Sequence, residues 1–355
     1  MTQFVYYILI YLLGLGTVIT FISSHWLLAW VGLEINTLAI VPLMAKNHHP
    51  RATEAATKYF LTQAFASAIL FIATVFNGST WDKWEIVQIE SSSSVILVTL
   101  ALSIKLGMVP LHFWLPEVMQ GIDLTTGLIL ASWQKLAPFA LLLQITHKLD
   151  PLALSLLGIT SAIVAAWAGL NQTQLRKILA YSSIAHLGWM FVVVQLAPQV
   201  TIFALSIYLL MTTAAFLTLK ETSATKMSLF TLSWAKVPMM VVLLGLILLS
   251  LAGLPPFLGF SLKLAILEEL SKQELQGPAS MLAFGSLISL YFYVRLCYFA
   301  IITLFPGSTM SKTSWRRKKK QDKITLATVA TAAIILLPLS PFVASLIYFM
   351  TVPCV

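Results

Sequence analysis

The chain has 355 residues, of which 59% are hydrophobic and only 10% charged, and its formal net charge is +9. Soluble domains carry about 25% charged residues, so this composition excludes a soluble globular protein and points to a polytopic membrane protein. Its two cysteines, Cys297 and Cys354, have no CxxC or Cys/His spacing for a metal or iron–sulfur ligand set, and the glycine patterns that cradle dinucleotides or triphosphates are missing.

Apolar length, punctuated by Pro, Gly and polar clusters, predicts eleven helices. They lie near 3–22, 25–44, 57–77, 94–119, 126–146, 151–171, 175–195, 199–220, 238–270, 277–304 and 324–348. About 20 apolar residues cross the ~30 Å hydrocarbon core, so 94–119 and 238–270 are too long for simple spans. The first run lacks the basic flank and small-residue cleavage site of a signal peptide and is expected to be retained. The fold class expected is an all-α polytopic membrane protein with about eleven transmembrane helices, two of them discontinuous.

Charge asymmetry orients these spans. With this count, loops on the N-terminal side carry fourteen Lys/Arg: Lys46, Arg51, Arg176, Lys177, Lys220, Lys226, Lys236, Lys312, Arg316, Arg317, Lys318, Lys319, Lys320 and Lys323. The other side carries three, Lys83, Lys148 and Lys272. The positive-inside rule puts the N-terminus in the cytoplasm or its organellar equivalent, the matrix. The net charge follows from loop placement and calls for no nucleic acid. The run Arg316–Lys320 reads as a topology signal, with contact to anionic lipid as a second use.

Setting loop charges aside leaves Glu34, Lys58, Lys105, Lys135, Lys263 and Arg295 inside predicted spans. A Lys or Asp at a helix centre costs ~2.5–3.5 kcal/mol on insertion scales, so such residues face the bundle interior and mark ion pathways. Glu34 and Lys135 are mid-span, too deep to reach water by stretching. Lys58 is close to the end of its span, where a snorkelling lysine and a functional one are equally consistent with the sequence. Arg295 reads as a structural arginine paired with carbonyls or lipid.

Lys105 and Lys263 share a different feature: both adjoin a helix break. In ALSIKLGMVPLHFWLP the break is Gly107-Met108-Val109-Pro110, and in AGLPPFLGFSLKL it contains Gly253, Pro255, Pro256 and Gly259. Proline removes a ladder hydrogen bond, and at membrane depth the freed carbonyls are tolerated only in protein or along a wet cavity. The broken helices are the fourth spans of two consecutive five-helix blocks. An odd block size inverts the second, the pattern of inverted-repeat transporters. The domains expected are residues 1–148, the first repeat with its break near 107–110, and 149–304, the second with its break near 253–259. A basic loop at 305–323 and a C-terminal helix and tail at 324–355 complete the chain. His112 and His186 are candidate proton relays because imidazole titrates near neutrality, with a hydrogen-bonded packing role as the alternative. Trp26, Trp81, Trp84 and Trp234 read as interfacial belt residues.

Four stretches carry a resemblance to a known family: WLLAWVGLEINTLAIVPLM around Glu34, ATEAATKYFLTQAFAS around Lys58, IKLGMVPLHFWLPEVMQG followed by SWQKLAP, and LRKILAYSSIAHLGWM with AGLPPFLGFSLK. In this order, over essentially the whole chain, the sequence resembles the chain 2 family of antiporter-like membrane subunits of respiratory complex I (NADH:ubiquinone oxidoreductase), in its shortened animal mitochondrial form. The resemblance implies a proton-translocating pair of half-channels joined by a central polar axis. Glu34 matches the family's glutamate, Lys105 the lysine beside the first broken helix, Lys135 the connecting lysine and Lys263 the second broken-helix lysine. Lys58 matches the extra lysine near the glutamate. It also implies that NADH, FMN, iron–sulfur clusters and ubiquinone are used by other parts of the complex, with no cofactor or metal bound by this chain. The partners implied are neighbouring antiporter-like subunits, small carboxylate-bearing subunits and phospholipids, cardiolipin among them. The location implied is the mitochondrial inner membrane, with the N-terminus on the matrix side and the C-terminus facing the intermembrane space. A stand-alone cation/proton antiporter would use the same lysines and is the competing reading.

Overall fold

The structure, a computed structural model, describes residues 3–46, 49–235, 237–302 and 324–335. Lys236, the basic loop 305–323 and most of the predicted last span lie outside the described residues. Within them the chain is all-helical, with two isolated β-bridges in place of any sheet. Among the described residues, seven helical stretches are long and apolar enough to cross a membrane, and one of them, Leu124–Gln144, contains a 3₁₀ turn.

The chain divides into two compact units, Met1–Ser161 and a second beginning at Ala162. The first contains α1 (Gln3–Ile22), α2 (Trp26–Met44), α3 (Pro50–Trp81), α4 (Ser92–Leu106), α5 (Trp114–Gly121), α6 (Leu124–Ala131) and α7 (Leu136–Gln144), and α8 (Pro151–Gly169) carries the chain across the division. Both α2 and α3 are capped by histidine: His25 Nδ1 accepts from the Leu27 amide and His49 Nδ1 from the Arg51 amide, each at 3.2 Å. α3 is longer than the expected 57–77 because the segment before it, PRATEAA, is itself a strong start. Pro50 occupies the first turn, where its missing N–H costs nothing, and alanines follow. At 1.5 Å per residue its 32 residues exceed the ~30 Å core, so one end emerges from the membrane or the helix tilts.

The expected fourth span is divided where its glycine predicts. α4 ends as Gly107 turns left-handed at φ 80°, and the Gly107 and Met108 amides fold back onto the Ser103 carbonyl, each at 2.9 Å. Glycine is required there because side-chain-bearing residues pay ~1–2 kcal/mol in that conformation. The expected fifth span, 126–146, is also divided. A 3₁₀ turn, Trp133–Lys135, separates α6 from α7. Pro138 has no N–H to offer the Gln134 carbonyl, and Ser132 Oγ donates back to Leu128 O at 2.7 Å; both weaken the α-helical ladder there.

The second unit contains α9 (Leu175–Val193), α10 (Pro198–Thr222), α11 (Met227–Leu232), α12 (Pro238–Ala252), α13 (Leu258–Lys272), α14 (Gln276–Ile302) and α15 (Ile324–Ile335). α9 is buried on every face from Ser182 to Val193, as an apolar helix at the middle of a bundle should be. α12 ends as α4 does: it has the same 15-residue length and a terminal glycine, Gly253, at φ 79°. α13 then crosses the end of α12 so closely that a Cβ on Gly259 would lie 1.8 Å from the Ser250 carbonyl oxygen.

Each bridge joins two segments that the predicted alternation puts on the same side as one another. His25 pairs with Glu85, and Gln174 with Lys226. Trp26 is not a belt residue: only 1% of its surface is exposed, and its amide is held by the Trp84 carbonyl at 3.0 Å. Short apolar-run reading cannot separate an interfacial ring from one folded inward by a loop contact.

Candidate functional site

In the first unit Lys105 and Lys135 line one small cavity. Lys105 is in the last turn of α4, just before Gly107, and Lys135 ends the 3₁₀ turn. Both are buried, at 6% and 3% exposure. The cavity wall also includes Asn36 and Thr37 of α2, Tyr59 and Gln63 of α3, and Gln134. It offers water centres about 20 Å³, against the roughly 10–15 Å³ that one water molecule needs.

The break at Gly107 satisfies its own carbonyls. The Ile104 carbonyl accepts from Trp114 Nε1 of α5 at 3.2 Å, and Ser103 O is taken by the turn amides. Lys105 Nζ is therefore not spent as a cap, and among the described residues it has no hydrogen-bond partner. Glu34, half-buried on α2, is within electrostatic reach of Lys105 and of Tyr59. It forms no ion pair with Lys105: among the described residues the salt bridges are those of Lys58, Lys83 and Lys272. Glu34 stands outside the cavity lining.

Lys58 belongs to a separate arrangement. Because α3 starts at Pro50, Lys58 is two turns into the helix rather than at its end. Its ammonium lies 2.8 Å from Glu54 of its own helix and 2.8 Å from Glu117 of α5, and all three side chains are exposed in the isolated chain. His112, between α4 and α5, is buried with Nδ1 3.3 Å from Pro110 O.

In the second unit Lys263, on α13 and 8% exposed, donates to the Ala252 carbonyl at the end of α12 at 2.7 Å. Its ammonium is also 5.9 Å from the centre of the Trp189 ring on α9. Here the lysine does what Trp114 does at the first break: it satisfies a carbonyl that the interruption frees. Gly253 makes room, since a Cβ there would lie 2.9 Å from Lys263 Cδ. His186 is buried three residues before Trp189, with its ring 5.8 Å from that of Tyr208. The Arg295 guanidinium donates to Leu170 O at 2.7 Å and lies beside the Phe299 ring.

Asn36, Gln63, Gln134 and Glu117 escape a reading that subtracts loop charges and ranks what remains. The first three are uncharged, and Glu117 lies two residues from the predicted end of the span 94–119. Polar amides inside LEINTLAIV and YFLTQAFAS were the available signal. Among the described residues no cluster of three or more His, Cys, Asp or Glu forms a metal site.

Residues 23–289 match the family model described as NADH:quinone oxidoreductase/Mrp antiporter, TM, and residues 290–344 match NADH dehydrogenase subunit 2 C-terminus. The chain is 54% identical over 346 residues to NADH-ubiquinone oxidoreductase chain 2 of Carassius auratus, covering 98% of this chain and 99% of that one. It is 52% identical to the protein of the same name from Danio rerio, again over 98% and 99% of the two chains. A chain in the solved structure of respiratory complex I from Thermus thermophilus with bound aureothin superposes with a TM-score of 0.84 at 28% identity, over 98% of this chain and 80% of that one. The fold extends to the Mrp complex of Dietzia, at TM-score 0.75 and 17% identity over 97% of this chain and 78% of that one.

Proposed function

Because the chain belongs to the NADH-ubiquinone oxidoreductase chain 2 family, and is thus a membrane subunit of that enzyme with an antiporter-like fold, we propose that its buried lysines carry protons across the membrane. The observation that carries the reading is the single cavity shared by Lys105 and Lys135, each standing at a helix interruption. Two ammonium groups on one small buried cavity repel, so arrival of a proton at one drives departure from the other. Glu34, outside the cavity but within electrostatic reach, modulates the charge on Lys105. Lys263 serves the second half-channel at the α12–α13 break, and Lys58, His112 and His186 remain candidate relays around these positions.

The matching ends of α4 and α12 support two inverted five-helix repeats, 1–148 and 149–304, with each broken pair counted as one span and eleven spans in all. The redox chemistry of NADH, FMN, iron–sulfur clusters and ubiquinone is assigned to other subunits, and the partners to neighbouring antiporter-like and small carboxylate-bearing subunits with phospholipids such as cardiolipin. The location proposed is the mitochondrial inner membrane, N-terminus in the matrix and C-terminus in the intermembrane space. The test is proton translocation measured beside NADH oxidation in sealed vesicles holding the intact complex. Lys105→Met should lower protons moved per electron while the complex assembles. Unchanged translocation in assembled Lys105→Met complex would overturn the reading.

A further inference from the structure

The cavity between Lys105 and Lys135 is lined by polar atoms that the protein itself does not satisfy. Asn36 Oδ1 and Nδ2, Gln63 Nε2 and Lys105 Nζ are all buried and have no hydrogen-bond partner among the described residues, although Asn36 is 2% and Gln63 3% exposed. Buried polar groups are as a rule hydrogen-bonded, and an ordered water with two to four polar partners is the usual answer where a polar cavity has room for it. Here the room and the partners coincide.

We propose that Asn36 and Gln63 are positioning residues that hold the water through which Lys105 and Lys135 exchange a proton. The proposal deepens the lysine reading above and rests on it. Neither amide has a titrating role: each donates or accepts in fixed geometry. The water bonds to the Lys105 ammonium and to the side-chain amides of Asn36 and Gln63, three partners that orient it. In the transfer the Lys105 ammonium gives a proton to this water, which releases one of its own toward neutral Lys135. Lys105 ends as an amine, Lys135 as an ammonium, and the water is restored.

Asn36 is placed from two sides. Gln134 Nε2, in the residue before Lys135, donates to the Asn36 backbone carbonyl at 3.2 Å, which ties α2 to the turn carrying Lys135. On the opposite side α1 crosses α2 at Gly16, where a Cβ would lie 2.6 Å from Asn36 Oδ1 and 2.8 Å from the Gly32 carbonyl. Glycine at position 16 thus lets α1 close against Asn36 without displacing its amide.

The test uses the intact complex in sealed vesicles and three readouts: protons translocated per electron, their dependence on pH, and the solvent deuterium isotope effect on translocation. Asn36→Leu and Gln63→Leu keep the side-chain heavy-atom count to within one and remove the water's polar partners. Each is expected to lower translocation by about tenfold and to raise the isotope effect as proton transfer becomes slower, and Gln63→Asn should restore part of the loss. Gly16→Ala, which crowds Asn36 from outside the cavity, should reproduce the Asn36→Leu phenotype. If Lys105→Met abolishes translocation while Asn36→Leu and Gln63→Leu leave translocation and isotope effect unchanged, the positioning role is wrong and the lysine reading stands. If Lys105→Met is also silent, both fall. Should the leucine variants fail to assemble, a high-resolution map of the unaltered complex decides: water density within hydrogen-bond reach of Lys105, Asn36 and Gln63 supports the proposal, and a dry cavity overturns it.

Discussion

Lys263 separates two functions that a buried lysine at a helix break can have. Its ammonium contributes a charged hydrogen bond to Ala252 O, ~1.5–3 kcal/mol, and lies near the Trp189 ring, ~0.5–2 kcal/mol when desolvated. Burying the charge costs several kcal/mol, so the favourable and unfavourable contributions nearly offset one another. Removing the charge by Lys263→Met should therefore leave assembly nearly intact, whereas Lys263→Arg retains the cap but cannot give up a proton at any working pH. A cap alone predicts a functional arginine variant and an impaired methionine one. A relay predicts that both lose translocation by ~10²-fold, equivalent to ~2.7 kcal/mol on the barrier. The assay is proton uptake against NADH oxidation in sealed vesicles, with assembly checked on native gels. Full translocation in an assembled Lys263→Arg complex would refute the relay and leave Lys263 as the cap of α12.

Lys135→Arg is expected to keep the complex assembled and to lower translocation by ~10²-fold, since a group in the middle of a proton path must release as well as bind; wild-type pumping in that variant would remove Lys135 from the path. Glu34→Gln should alter the pH dependence of translocation more than its maximum, because Glu34 acts on Lys105 through space and not by a hydrogen bond; a superimposable pH profile would argue against that coupling. Gly259→Ala should abolish assembly of the complex, because no rotamer relieves a Cβ lying 1.8 Å from the Ser250 carbonyl oxygen, and normal levels of assembled complex would show that α13 crosses α12 elsewhere.

What the sequence reveals here follows from what membranes penalise. Charges inside apolar runs are costly enough to be conspicuous, so Glu34, Lys105, Lys135 and Lys263 are legible one by one, and Gly107-Met108-Val109-Pro110 and Gly253-Leu254-Pro255-Pro256 announce their breaks because proline and left-handed glycine leave few alternatives. The interruption at Trp133–Lys135 is less visible: its cause, Pro138, stands three residues downstream in a segment that otherwise reads as continuous helix, and the consequence falls one turn back, on the Gln134 carbonyl. The Lys58 cluster is invisible for another reason, since Glu117 is 59 residues away in sequence and meets Lys58 only once the break has set where α5 starts. Asn36 and Gln63 are uncharged and cost little enough to pass as ordinary helix residues.

The structural reason that both cavity lysines stand at interruptions is common to all of these. In an unbroken apolar helix every backbone carbonyl is already paired, and an ammonium on its flank has nothing to bind. An interruption frees carbonyls and opens space, and the two can be used in either of two ways. At the second break the freed carbonyl, Ala252 O, is given to the lysine. At the first, Trp114 takes the carbonyl of Ile104, so the Lys105 ammonium stays uncommitted and faces the cavity with the amides. A lysine held by a carbonyl gives up its proton only by breaking that bond, whereas one facing water and amides does not have to. Exchange of Trp114 for phenylalanine, which removes the indole donor and keeps the ring, would leave Ile104 O with the Gly107 amide alone and its second lone pair open to Lys105. The expected result is slower proton translocation with assembly preserved, and unaltered translocation would show that the division of labour between Trp114 and Lys105 has no functional weight.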